Sequence, residues 1–426
     1  MIVNDKSNVP HIVNKSDDLL FIYECYHCML GMKRNEELAN INWFHSSNLS
    51  LSILQIHMTD LLISMEKSKY EQAKSLLDTL IMISEKESDK RAELINSGII
   101  SLINNNYYQA RNYFYKCLLK NPKDIFSFYI CHMIEFNNGM TETMLETLNL
   151  VNKHWDINDE FYSYFQGIKA FILNENKYYD ESYESASSSL KINNLDIYAI
   201  HAICHYFYDK KRFNEGKYWM DTLKDIWQDN YGMRIHLFWH YAMFLMEMNE
   251  IDQVVNIYHQ IRHKNDSNGL EDLDATSLLF KLKFIYGKND QHIQRHSDLL
   301  FESWNNKEEL GFYFFNDFHA ALAFGINKKF DMIDYLIEKT ENSNPIGYYN
   351  TKRNLLEVIK NYSQENYDKV VLILNGPINY QFMGGSRIQR SIINEILSDS
   401  KSKPGLAESN ENKIPNNLIM PETYTE

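Results

Sequence analysis

The chain is short of residues that interrupt helices: Gly fills 15 and Pro 7 of its 426 positions. That scarcity argues against a turn-rich β architecture, because Gly and Pro supply much of the backbone geometry that tight turns need. Cysteine is scarce too. Cys25, Cys28, Cys117, Cys131 and Cys204 are odd in number and scattered, which excludes an even disulfide framework and suits a reducing, cytoplasmic setting. Cys25 and Cys28 make a lone CxxC inside the apolar stretch FIYECYHCML, so packing is expected there rather than zinc or redox chemistry. Cys204 is likewise expected in the core. No apolar run approaches the roughly 18 residues of a membrane span, and the N-terminus has no basic-then-apolar signal pattern, so no membrane partner is expected. Positive charge is in deficit, 43 Lys and Arg against 57 Asp and Glu for a net −14, and no basic stripe occurs, so no nucleic acid is expected either. A P-loop, a dinucleotide fingerprint, a GxSxG elbow and an HExxH motif are all missing, which removes most NTPase, dehydrogenase, serine-hydrolase and metalloprotease readings.

What the chain does have is helical periodicity that repeats. A large residue followed three positions later by a small or β-branched one occurs at Tyr70/Ala73, Tyr107/Ala110, Tyr179/Ser182, Phe213/Gly216, Ile251/Val254, Phe330/Ile333 and Tyr367/Val370. The spacing is close to one or two multiples of the 34-residue tetratricopeptide period. The clearest unit runs from Leu94 through Gly98, Tyr107, Ala110, Phe114 and Leu118 to Pro122. Gly98 and Ala110 allow two helices to approach, Tyr107 and Phe114 fill the seam, and Pro122 stops the second helix. The expectation is an all-α, tetratricopeptide-type helical-repeat superhelix, an α-solenoid of about nine helix pairs, over residues 19–398. Residues 1–18 are expected to be irregular, and 399–426, rich in Pro, Asn, Ser and Glu, a disordered tail.

Histidine placement is the strongest pointer to function. His201/His205, His236/His240, His259/His263 and His292/His296 are spaced four apart, where chance placement gives roughly 0.5 such pairs. On a helix each pair stacks its imidazoles on one face.

The segment 201–390 resembles the tetratricopeptide repeat protein 38 family in the successive strings HAICHYFYDKKRFNEGKYW, HLFWHYAMFLMEMNEIDQVVNIY, LEDLDATSLLFKL, FNDFHAALAFG and LNGPINYQFMGGSRIQR. The upstream KNPKDIFSFYICHMIEFNNG and FQGIKAFILNENKYYDESYESASSSLKIN are similar to its earlier repeats, extending the resemblance over roughly residues 50–398. It implies the solenoid fold and a residue set rather than a reaction: His132, His201, His205, His236, His240, Asp274, Asp317, His319, Gly384, Gly385, Ser386, Gln389 and Arg390. The pairs at 259/263 and 292/296 fall outside that set and read as surface features.

On a tetratricopeptide unit, His201 and His205 occupy inward positions of the first helix, while His236, His240 and His319 lie within or at the edge of the same arc. Five imidazoles can then converge on one concave pocket, with Trp239 as an aromatic wall. The candidate catalytic set is His201, His205, His236, His240, His319 and Asp274. Two chemistries suit it: a divalent metal such as zinc on His201, His205, His236 and His240, or metal-free acid/base catalysis by paired histidines. Asp274 and Asp317 are candidate orienting carboxylates, though Asp274 also fits an N-cap before SLLFKLKF. In GGSRIQR, Ser386 is placed to cap a short helix whose free N–H groups attract an anion, and Arg390 to clamp a carboxylate or phosphate; Gln389 and His132 join them as candidate ligand contacts. The bland reading is packing for the histidines, an N-cap for either aspartate, and an ordinary capped helix with a surface Arg for GGSRIQR. The expected function is small-molecule binding in a His/Asp pocket, with or without catalysis. The alternative is a non-catalytic scaffold holding a partner peptide in its groove.

Overall fold

A computed structural model describes residues 1–41, 50–261, 269–306 and 308–403. Over these residues the protein is helical apart from turns and one short antiparallel hairpin, Ile2–Asn4 with Pro10–Ile12, inside the stretch expected to be irregular. The last helix, Ile392–Ser402, runs beyond residue 399, where a disordered tail was expected to begin. Residues 404–426 and His263 lie outside the described residues.

Long helices follow one another through short connections, so sequence neighbours pack side by side. The unit anticipated around Gly98 consists of Lys90–Ile103 and Tyr107–Lys120. Tyr107, Ala110, Phe114 and Leu118 are all buried, and the second helix ends two residues before Pro122. A Cβ on Gly98 would sit 2.7 Å from the Phe114 ring, so no larger residue fits at this crossing without displacing the aromatic.

The connections share one device that composition conceals. Met65, Asn105, Gly139, Lys177, Lys211, Asn249, Gly287, Lys328 and Glu365 all have positive φ, at intervals of roughly 34–41 residues, near the tetratricopeptide period. At most of them the next amide bonds back across the helix end, as in Asn106 to Ser101, Tyr178 to Leu173, Arg212 to Phe207 and Glu250 to Leu245. This is the left-handed C-terminal cap that normally recruits Gly, used here mainly with Lys, Asn, Met and Glu. A Cβ in that region costs about 1–2 kcal/mol. Lys211→Gly is therefore expected to stabilise the protein by about 1 kcal/mol, part of the gain being offset by the freer unfolded chain, as read by denaturant titration.

Two helices are apolar almost all round and sit inside the array. Ile197–Asp209 buries every residue from Ile197 to Phe207, and Arg234–Glu247 buries most of its length. They pack against each other and against the inner helices on either side, Tyr162–Glu175 and Gly269–Phe280. Distant parts of the chain also meet: Tyr313 donates to the Asn137 carbonyl at 2.5 Å, Asn316 to the Met65 carbonyl at 3.1 Å, and Gln381 to the Gly139 carbonyl at 2.9 Å. The helical array thus curls until late hairpins touch early ones.

Candidate metal centre

Helix Ile197–Asp209 is started by Asp196, whose carboxylate accepts from the Tyr198 and Ala199 amides at 3.0 and 3.3 Å. Because His201 and His205 are four residues apart, they project from this helix on one face, and His236 and His240 do the same from Arg234–Glu247. The two faces meet. His201 Nε2 lies 2.9 Å from His205 Nε2, 2.8 Å from His236 Nε2 and 3.0 Å from His240 Nε2, and the His236 and His240 Nε2 atoms are 3.2 Å apart. One ring nitrogen from each of the four lies within 4.8 Å of all the others. His205 and His240 are fully buried and His201 nearly so, while the His236 side chain keeps 12% exposure.

Hydrogen bonds within the cluster cannot satisfy it. Each neutral imidazole nitrogen carries either one N–H or one lone pair, so His201 Nε2 can serve one of its three close neighbours. A cation at the centre accepts all four lone pairs at once. Four of the six separations, 2.8–3.2 Å, are about 0.1–0.5 Å shorter than the roughly 3.3 Å edge expected for a tetrahedron of nitrogens about 2.0–2.1 Å from zinc, and all six lie within 4.8 Å. Burial, reinforced by the neighbouring imidazoles, pushes His201, His205 and His240 well below the ordinary histidine range, which keeps their lone pairs free.

The far sides of the rings are held unequally. His236 Nδ1 faces Asp274 Oδ2 at 2.7 Å, the carboxylate–imidazole pairing that fixes which nitrogen keeps the proton. Asp274 lies inside helix Gly269–Phe280, so it orients a histidine and caps nothing. His205 Nδ1 is 3.7 Å from Glu175 Oε1, and the buried Nδ1 atoms of His201, His205 and His240 make no hydrogen bond. Aromatic rings brace the cluster: Phe171 stacks on His201 at 5.2 Å and meets His205 edge-on, and Trp239 lies parallel to His236 at 5.8 Å and edge-on to His240.

The other expected site residues divide. His319, the fifth expected imidazole, stays outside the cluster: its Nδ1 pairs with the Phe315 carbonyl at 2.8 Å within its own helix, and its ring packs on Phe315 and Phe318. Asp317 orients no histidine either. It accepts the Gly311 amide at 2.8 Å, and burial lifts its carboxyl to about 7. His132 is packed among Phe136, Phe171 and Tyr198, where burial lowers it to about 3; Phe171 separates it from His201. Trp239 is 1% exposed and donates to Ser277, so it supports His236 rather than lining an open wall.

Ser386 caps Arg387–Arg390 in a capping box with Gln389, as its position suggested. The anion expected at that helix start is a side chain of the protein itself: the Arg387 amide donates to Glu175, 3.4 and 3.2 Å from its two oxygens. Arg390 Nη1 donates to the Gly384 and Gly385 carbonyls, and Nη2 lies 4.0 Å from Glu175. Gln389 Nε2 donates to Asp274 Oδ1 at 2.9 Å. Glu175 and Phe171 escaped sequence reasoning, because a single Glu or Phe in a repeat has no diagnostic spacing.

No family model matches the chain, and no solved structure matches it. Fold and site together define an all-helical protein with a buried tetra-histidine cluster that could hold a metal ion. No helix among the described residues is long and apolar enough to cross a membrane.

Proposed function

We propose that the protein is a tetratricopeptide-type metalloprotein whose four-histidine cluster binds one divalent transition ion, zinc being the first choice for an all-imidazole set. The observation that carries this reading is the approach of His201 Nε2 to three other Nε2 atoms at 2.8–3.0 Å in the core. Metal-free acid/base chemistry has weaker support. It requires ring nitrogens aimed at a substrate, and here they are aimed at one another. Asp274 adds to the metal reading: this 3%-exposed carboxylate is bonded to His236 Nδ1 and to the Gln389 amide, the outer partner that a metal-bound histidine commonly has.

The ion cross-links two consecutive hairpins, and a small molecule would meet it beside His236, whose side chain keeps 12% exposure, by displacing an imidazole or adding a fifth ligand. Four neutral ligands leave the ion its full charge, which favours an anionic or carbonyl-bearing molecule at that edge. The alternative of a partner peptide in the groove is less favoured, since residues 384–390 of this chain already pack against the inner helices beside the cluster. The periodic left-handed turns support the count of about nine helix pairs. Five unpaired cysteines support a reducing, cytoplasmic setting.

Elemental analysis by mass spectrometry of untagged protein, purified without added metal, tests the central point. About one equivalent of a single transition metal per chain is expected. Absence of metal, together with failure of the protein to take up Zn(II) or Co(II), would overturn the reading.

A further inference from the structure

Two paths of side chains lead away from the histidine cluster, one hydrogen-bonded throughout and one opening on a 3.7 Å approach of Glu175 to His205, and both end on one short segment far along the sequence. From His236 the path runs through Asp274 to Gln389 Nε2. The amide of Gln389 is fixed at its other end: its Oε1 accepts the Ser386 amide at 2.9 Å, so its N–H is left to face Asp274. From His205 the path runs through Glu175, 3.7 Å from Nδ1, to the Arg387 amide, with the Arg390 guanidinium 4.0 Å from the same carboxylate. Arg387 also reaches Asp209 at 2.8 Å and the Asn174 carbonyl at 3.2 Å, at the C-terminal ends of the two helices that carry Glu175 and His205. The segment is wedged in place. Gly384 and Gly385 both have positive φ, and a Cβ on either would fall 2.3 Å from the Asn137 carbonyl oxygen or 2.5 Å from the Phe315 ring.

We propose that residues 384–390 form a clasp that completes the metal centre from outside, by locking the two carboxylates behind His236 and His205. Docking of the clasp and binding of the ion then strengthen each other. This rests on the metal reading above. Gln389 and Arg387 are positioning residues: neither touches the ion, and each acts through a carboxylate. Outer partners of metal-bound histidines fix ring orientation and basicity, and their loss typically weakens metal binding by about 10–100-fold. Linkage requires reciprocity, so an ion that binds better to the docked state must also hold the clasp down.

The test uses full-length protein, apo and loaded with Zn(II). Gln389→Met keeps the volume and removes both the donor to Asp274 and the acceptor of the Ser386 amide. It is expected to lower Zn(II) affinity, measured against a competing chromogenic chelator, by about 10–100-fold, while the lost cap lowers the apo melting temperature only slightly. The Co(II)-substituted visible spectrum of the variant is expected to change as His236 loses its anchor. Amide exchange in the wild type needs no variant: removing metal should accelerate exchange across 384–390 far more than across the remote hairpin 90–120. If wild-type protein binds Zn(II) but Gln389→Met binds it equally well, or exchange in the clasp ignores the metal, the clasp is overturned and the metal centre stands. If the wild type binds neither ion, both fall together.

Discussion

With the proposed ion bound, a chelator is expected to lower the thermal midpoint of the wild-type protein by several degrees, and to have no effect on His201→Ala. An ion that binds only the native fold stabilises it by RT ln(1 + [M]/Kd), about 4 kcal/mol at free metal near 1,000 times Kd. His201 is the variant of choice because its Nε2 is the hub of the cluster, within 3.0 Å of the other three. His259→Ala is the control. That ring faces His296 at 3.0 Å outside the cluster, so its loss should leave the chelator response intact. An equal chelator-induced shift in wild type and His201→Ala would mean that the ion sits elsewhere.

The largest purely structural effect is expected from Asp124→Ala. Arg91 Nε and Nη2 reach the two oxygens of Asp124 at 2.6 and 3.0 Å, both side chains are buried, and Arg91 also donates to the Pro10 carbonyl at 3.3 Å. Asp124 caps helix Ile125–Asn137 as well, accepting from the Ser127 amide and hydroxyl. Deleting it leaves a guanidinium stranded among apolar rings, a loss of about 3–5 kcal/mol, with about 1 kcal/mol more for the cap. Adding Arg91→Met to Asp124→Ala should recover much of this, because an apolar replacement removes the unpaired charge. Denaturant titration decides the matter; a single-variant loss below about 1 kcal/mol would contradict it.

The same pair has a pH signature. Burial would raise the Asp124 carboxyl, but the charge and hydrogen bonds of Arg91, with those of Ser127, outweigh it and hold the group below its usual range. A folded pKa below the unfolded value of about 3.9 gives stability that is present above that pH and lost as pH falls through the folded value. The acid limb of the wild-type stability profile should therefore be steeper than that of Asp124→Ala.

Particular residues show how far sequence reasoning reached. Gly98, Ala110, Phe114 and Pro122 could be assigned roles because close helix crossings and helix stops have local signatures. The repeating left-handed turns could not, since Lys177, Lys211, Lys328 and Glu365 stand where Gly would have signalled them. His319 matched the same arc as the cluster and yet bonds within its own helix. Position on an arc gives a direction, not a distance across hairpins. Asp274 read equally well as a cap or an orienting group until helix Gly269–Phe280 was seen to begin before it.

The sequence by itself determined that the chain is helical and that His201 lies over His205 and His236 over His240, because a turn of 3.6 residues places side chains four apart on one face whatever surrounds them. The tertiary structure alone decided that the two pairs close to within 3 Å, that Gln389 meets Asp274 across 115 residues of chain, and that Glu175 fills the anion position expected for a ligand. Those facts depend on how each hairpin rotates against the next. Small rotations accumulate through the superhelix, and no local pattern of residues records their sum.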